Sequence, residues 1–108
     1  MIRLRQWQVW KALPAGFGKA HYFVLFSNQE RLDSSRPQIN GLACFTLRGE
    51  ALKSDVRLNG ADGFSAPTVC QCDLIYLLNK SDLQEPAGFV SAARQQQIQV
   101  KVREVFRL

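Results

Sequence analysis

The chain holds one histidine, His21, three cysteines, Cys44, Cys70 and Cys72, and 14 Lys and Arg against 9 Asp and Glu. His21 is the one side chain whose unperturbed pKa lies near neutrality, so it can act as proton donor or acceptor. It also begins the apolar run His21-Tyr22-Phe23-Val24-Leu25-Phe26, where a capped or partly buried structural histidine is the competing reading. The odd cysteine count fits a secreted disulfide framework poorly. Cys70 and Cys72 share one face of any strand and are badly placed to bridge each other. A zinc site wants four ligands, and His21 is far off in sequence. The three therefore read as buried structural thiols, and no metal or organic cofactor is suggested. Asp73, closing a mostly apolar stretch, is either a turn-forming aspartate or a site residue. Phe17 and Phe64 lie in glycine-containing loops, as core anchors or as surfaces on which bases can stack. The net charge of +5 attracts polyanions and speeds their encounter without specifying a fold.

The elements that must position these residues are mostly strands. A length of 108 residues is one domain, 1–108, and its apolar share of 46% supports a single core. No apolar run approaches the ~20 residues needed to cross a bilayer. The opening MIRLRQWQVW does not read as a signal peptide, so the expected location is the cytoplasm. Trp7-Gln8-Val9-Trp10 alternates as a first strand, and Leu13 to Lys19 is a loop broken by one proline and two glycines. His21–Phe26 reads as a strand buried on both faces. Residues 29–38 are a surface loop or short helical turn. Leu42–Leu47 is a strand, and Asp55-Val56-Arg57-Leu58 is another that ends in the hairpin signal Asn59-Gly60. Thr68 to Tyr76 reads as one further strand, with Leu83 to Gly88 a connector. Ser91 can cap a final helix whose Ile98, Val102, Val105 and Phe106 form a stripe, although Ile98, Val100 and Val102 also alternate as in a strand. The expected class is mainly β: a small SH3-like barrel or curled antiparallel sheet packed by a C-terminal helix.

Taken in order, these segments resemble the MazF/PemK family of toxin endoribonucleases over nearly the whole chain. Arg5-Gln6-Trp7-Gln8-Val9-Trp10 stands at the family's first strand, and His21 to Asn28 at its Arg-Pro-Val strand. Leu42-Ala43-Cys44-Phe45-Thr46 matches the strand ending in the family's threonine. Val69-Cys70-Gln71-Cys72-Asp73 matches a strand carrying an arginine and then an acidic residue. Leu77 to Leu83 resembles the turn that follows, and Gly88 precedes the last helix. Order and spacing carry the likeness. It implies an SH3-like barrel, a homodimer, single-stranded RNA in a groove across two subunits, and an antitoxin whose disordered acidic segment folds over the basic groove. The family's two arginines stand as His21 and Gln71, while its threonine and acid persist as Thr46 and Asp73.

The resemblance implies metal-independent cleavage, in which the ribose 2′-hydroxyl attacks its own phosphate. That reaction needs a base, an acid for the departing 5′-oxygen, and donors for charge growing on phosphorus. His21 fits acid or base, Asp73 a base or the group that orients His21, and Thr46 a phosphate donor. Lys19 and Arg48 can replace the lost guanidinium charge. Gln71, facing away from Cys70 and Cys72, can hydrogen-bond a base, and Phe17 can stack on one. Arg31, Arg36, Lys53 and Arg57 add charge. Two rivals remain: an inactive relative that binds RNA or antitoxin, and a gyrase-type toxin of the same fold aimed at a protein.

Overall fold

A computed structural model describes residues 2–108. Seven strands follow in chain order: β1 (Gln8–Ala12), β2 (His21–Leu25), β3 (Gln38–Thr46), β4 (Asp55–Leu58), β5 (Thr68–Gln71), β6 (Tyr76–Asn79) and β7 (Leu83–Phe89). Two helices accompany them, the short α1 (Gln29–Asp33) and the C-terminal α2 (Ala92–Phe106). All pairings are antiparallel, in the order β4-β5-β3-β2-β1-β7, with β6 also on β3. The path has two ends, so the sheet is curled and open rather than a closed barrel.

Alternation splits the core between two faces. Val9, Val24, Leu42, Cys44, Val56, Leu58, Cys70 and Cys72 pack together beneath Ile98 and Val102 of α2. Trp10, Ala12, Phe23, Leu25, Ile39, Ala43 and Leu78 form the second cluster, closed by Leu32 and Phe17. Phe23, Val24 and Leu25 are each fully buried, as their unbroken apolar run requires. In α2 the helical reading prevails over the strand one. Ile98 and Val102 face the core, Val105 is half-buried, and Phe106 in the last turn is exposed.

Three expectations need correction. Asn59-Gly60 does not close a two-residue hairpin. The Asn59 side chain instead accepts from the Ala61 N–H (3.0 Å) and opens a 3-10 turn, Gly60–Asp62, so β4 reaches β5 through a longer loop. The stretch Thr68 to Tyr76 is not one strand. β5 pairs with the end of β3 and β6 with its beginning, while Cys72 leaves the ladder and donates its N–H to Ser54 O (3.2 Å). Finally, Leu83 to Phe89 is a strand, paired to β1. Its Pro86 is compatible with a ladder because β7 lies at the sheet edge, where one missing donor is tolerated.

Trp7 has φ +75°, an unusual conformation for a bulky residue. Hydrogen bonds on both sides hold it there: its N–H donates to Leu25 O (2.8 Å), and its carbonyl accepts from Val90 N–H (3.0 Å). Its ring meets Phe26 edge-on at 5.7 Å.

Candidate functional site

The start of β2 and the end of β3 meet at one rim of the sheet. Tyr22 pairs with Cys44, so the register sets His21 beside Phe45, and their rings lie 5.0 Å apart. Phe17, folded back from the loop before β2, approaches the other side of His21 at 5.3 Å. Phe17 also meets Phe23 and Tyr76, each at 5.6 Å. It is thus half-buried, an anchor with one edge left at the surface. Among the described residues no side-chain hydrogen bond orients the His21 imidazole.

Thr46 ends β3 one residue beyond Phe45 and is exposed. Alternation turns it to the face opposite His21. There it joins Tyr22, Phe64 and Thr68 around a small cavity of about 120 Å³. Lys19 precedes β2 and Arg48 follows β3, both exposed at the same rim. Among the described residues neither is ion-paired, since the salt bridges join Arg3 to Asp33 and Lys101 to Glu104.

Gln71 and Asp73 lie elsewhere. β5 runs antiparallel to β3 with Thr68 beside Thr46, so Gln71 sits roughly 10 Å further along the strand. It pairs with Asp55 of β4. Asp73 is half-buried in the bend between β5 and β6 and has no side-chain hydrogen bond among the described residues. The rim therefore gathers His21, Phe17, Thr46, Lys19 and Arg48, and leaves Gln71 and Asp73 outside it.

No family model matches the sequence, and no curated protein matches it either. Solved structures do. An endoribonuclease in complex with its cognate antitoxin from a mycobacterial species superposes with TM-score 0.82 at 19% identity, covering 100% of this chain and 97% of that one. The Mycobacterium tuberculosis toxin MazF-mt6 gives 0.79 at 20%, over 94% and 97%. A MazE–MazF structure from Deinococcus radiodurans gives 0.77 at 15%, over 100% and 99%. The fold is that of the MazF toxins. At these identities the likeness is one of backbone, and the MazF fold leaves the chemistry to the side chains.

Two features of this MazF-like chain complete the picture of its polar groups. Tyr76, half-buried at the head of β6, packs edge-on against Phe17 and Phe23 (5.6 and 5.8 Å) and so belongs to the aromatic group around His21. Within an apolar stretch it carries no signal that would single it out. The cysteines are buried and unbridged, as the sequence suggests. Contact with Cys44 and burial hold the Cys70 thiol well above its ordinary range, and contact with Cys70 and burial raise that of Cys72. Both are protonated at neutral pH and unsuited to nucleophilic work. No described helix is long and apolar enough to cross a membrane.

Proposed function

We propose that this chain is the toxin of a toxin–antitoxin pair, a cytoplasmic endoribonuclease that cuts single-stranded RNA without a metal ion. One observation carries the reading: on a MazF fold, a single sheet rim collects an imidazole, a hydroxyl and two unpaired cations. In this reading Lys19 and Arg48 hold the phosphates on either side of the scissile bond. The Thr46 hydroxyl, on the other face of the rim, donates to a phosphate oxygen of the strand as it crosses the rim. His21 takes the 2′-hydroxyl proton as the 2′-oxygen bonds to phosphorus, or gives one to the 5′-oxygen as the P–O5′ bond breaks. Each proton-transfer role contributes on the order of 10²–10⁴ in rate. A base packs against the part of the half-buried Phe17 ring left accessible at the rim. Gln71, further along β5, acts on a base, and Asp73 in the bend beyond it lies outside reach of the scissile phosphate. The proton transfer that His21 does not perform is made by solvent water.

Partners follow from the same reading. The similar structures include an endoribonuclease held by its cognate antitoxin and a MazE–MazF complex. An acidic antitoxin segment and RNA are thus alternative occupants of one basic surface. A second copy of the chain is assigned to the free edge of β6, where Leu74, Ile75 and Leu77 are 51%, 41% and 63% exposed. Such a patch suits a protein interface better than solvent.

A second reading has its own observation. The His21 ring meets Phe17 edge-on and Phe45 at a tilt, and among the described residues no side-chain hydrogen bond orients it, as befits a structural residue in a chain that binds RNA or antitoxin without cutting. The test is incubation of a long unstructured RNA with the protein in excess EDTA, beside His21→Ala, Thr46→Ala and Asp73→Ala. Discrete fragments lost in the His21 and Thr46 variants support the ribonuclease. Intact RNA at protein excess, with binding retained, supports the binding module. Toxicity that survives all three substitutions points to a protein target.

A further inference from the structure

The rim does not end at Thr46. Its small cavity shares Phe64, Ser65, Ala66 and Thr68 with a larger groove of about 420 Å³ that reaches Arg57 on β4 and Arg94 on α2. Those two arginines also line a third depression, about 680 Å³, between β4 and α2, which Lys101 closes at its far end. The three hollows form one continuous course over the α2 face of the sheet. Cations punctuate it, and the edge-on pair Tyr22 and Phe64, 5.9 Å between rings, stands at its start.

Lys101 is paired with Glu104, but the two arginines of this course carry free charge. Arg57 is exposed, and neither it nor Arg94 is ion-paired among the described residues. Arg94 donates only to Gln97 Oε1 (2.9 Å), a neutral acceptor. Two acids lie near. Asp55 uses Oδ2 to accept the Leu52 N–H (2.8 Å), and Glu104 pairs with Lys101 at 3.3 Å. Asp55 lines the same depression with Oδ1 unpartnered, but among the described residues neither acid makes a salt bridge to Arg57 or Arg94. A course of spaced, unpaired guanidinium groups entered past aromatic rings has the two elements that single-stranded nucleic acid needs: backbone charge neutralisation and base stacking.

We propose that the RNA strand runs on from the rim past Tyr22 and Phe64 into this groove, where Arg57 and Arg94 bind phosphates several nucleotides from the scissile bond. The proposal rests on the ribonuclease reading of the rim and adds to it a second, non-catalytic binding segment on the same subunit. Arg57 and Arg94 come from elements remote in sequence, one on each wall of the groove, so a strand lying between them touches both. Substrate long enough to fill the groove binds more tightly than substrate that covers the rim alone.

The test uses fluorescein-labelled oligouridine of ~4 and ~12 nucleotides, lengths at the short end and upper part of single-strand site sizes. Each is titrated with the wild type, Arg57→Gln/Arg94→Gln and Arg57→Lys/Arg94→Lys over a salt series. Two lost phosphate contacts lower the slope of log K against log salt by ~1.4. The wild type then loses about sevenfold more affinity than the glutamine variant between ~50 and ~200 mM salt, for the longer RNA only. The lysine variant keeps most of the slope. An unchanged slope for the longer RNA, with the wild type binding it, overturns the groove. So does an equal loss on both lengths, which would make the effect one of diffuse charge. Weakened binding of an oligoglutamate peptide with RNA binding intact assigns the groove to an acidic protein segment and overturns the RNA proposal. Failure of the wild type to bind either RNA is the separate failure of the ribonuclease reading itself.

Discussion

Asp62 is wholly buried, and its carboxylate joins two parts of the molecule. Oδ2 accepts the Asn59 N–H (3.0 Å) and Oδ1 the Ser91 N–H (2.8 Å), at the N-cap of α2. One side chain thus ties the loop bearing Phe64 to the helix bearing Arg94, both of which line the groove. Hydrogen bonds to a charged group contribute ~1.5–3 kcal/mol each, and a buried N–H left without an acceptor costs ~1–3 kcal/mol. Asp62→Ala deletes both bonds and strands both donors, for an expected loss of ~3–5 kcal/mol. Asp62→Asn keeps one carbonyl acceptor but turns an amide donor toward the other N–H, for a loss of roughly half that. With a urea slope of ~1.5 kcal/mol/M, the alanine variant unfolds ~2–3 M below wild type and the asparagine variant between them. The measurement is equilibrium urea unfolding followed by tryptophan fluorescence. An Asp62→Ala midpoint within ~0.3 M of wild type would refute the reasoning, because the bonds would then contribute little.

Four other outcomes are expected. Gly88→Ala places a Cβ against Asp62 O and 2.9 Å from Gly63 Cα, backbone that cannot yield cheaply. It costs ~2 kcal/mol or more and lowers Tm by ~8 °C at least, read by calorimetry. The raised thiol pKa values of Cys70 and Cys72 mean that thiolate is scarce even in mild alkali. Maleimide labelling at pH 8 is therefore orders of magnitude slower in native protein than in urea, and stoichiometric native labelling within minutes would contradict this. The Arg3 guanidinium, bonding both carboxylate oxygens (2.9 and 3.1 Å), and the Gln29 amide hold Asp33 below the ordinary carboxylate pKa. A depressed acid contributes stability above its unfolded pKa and loses it as pH falls through the folded value. The Arg3–Asp33 coupling in a double-mutant cycle should therefore be present at pH 7, small because the pair is exposed, and gone once acid has protonated Asp33. Leu77→Glu on β6 should shift sedimentation from dimer to monomer without unfolding the chain, and a monomeric wild type would remove the premise.

Local pattern was enough wherever one residue and its near neighbours decided the structure. The run from His21 to Phe26 reads as a two-face-buried strand, and its centre Phe23-Val24-Leu25 is, while Tyr22 is 38% exposed and His21 and Phe26 are half-buried. The spacing of Ile98 and Val102 fits a helix face, but the alternation with Val100 leaves a strand open, and the structure decides for the helix by leaving Val100 50% exposed. β7 was illegible because Gln84, Glu85 and Pro86 describe an edge, and an edge strand looks like a connector until its partner is known. Asn59-Gly60 misled because the short-range signal for a hairpin is also a good cap, and the buried Asp62 beyond it chose between the two. Cys72 looks like a strand residue and is buried like one, but its N–H goes to Ser54. In the candidate site, His21 and Phe45 meet through strand register across more than twenty residues, which no spacing in the sequence reveals. The same holds for Tyr76, and for Arg57 and Arg94 on their two walls. That Thr46 and His21 share a rim but not a face is again a matter of register.

The pairing of β1 with β7 has a consequence in time. It joins residues 8–12 to residues 83–89, the two ends of almost the whole sheet. On the ribosome, roughly 60 residues separate the completion of β2 from that of β7, a delay of ~3–13 s at ~5–20 residues per second. Throughout it the outer edge of β1 is a row of unpaired backbone groups, available to any other strand. Topology of this kind also folds slowly, since distant segments must be brought together before their contacts stabilise anything. A chain interrupted before Leu83 carries every residue of the rim and still leaves β1 without its second partner. Its free β1 edge makes such a chain prone to pair with other strands rather than to fold.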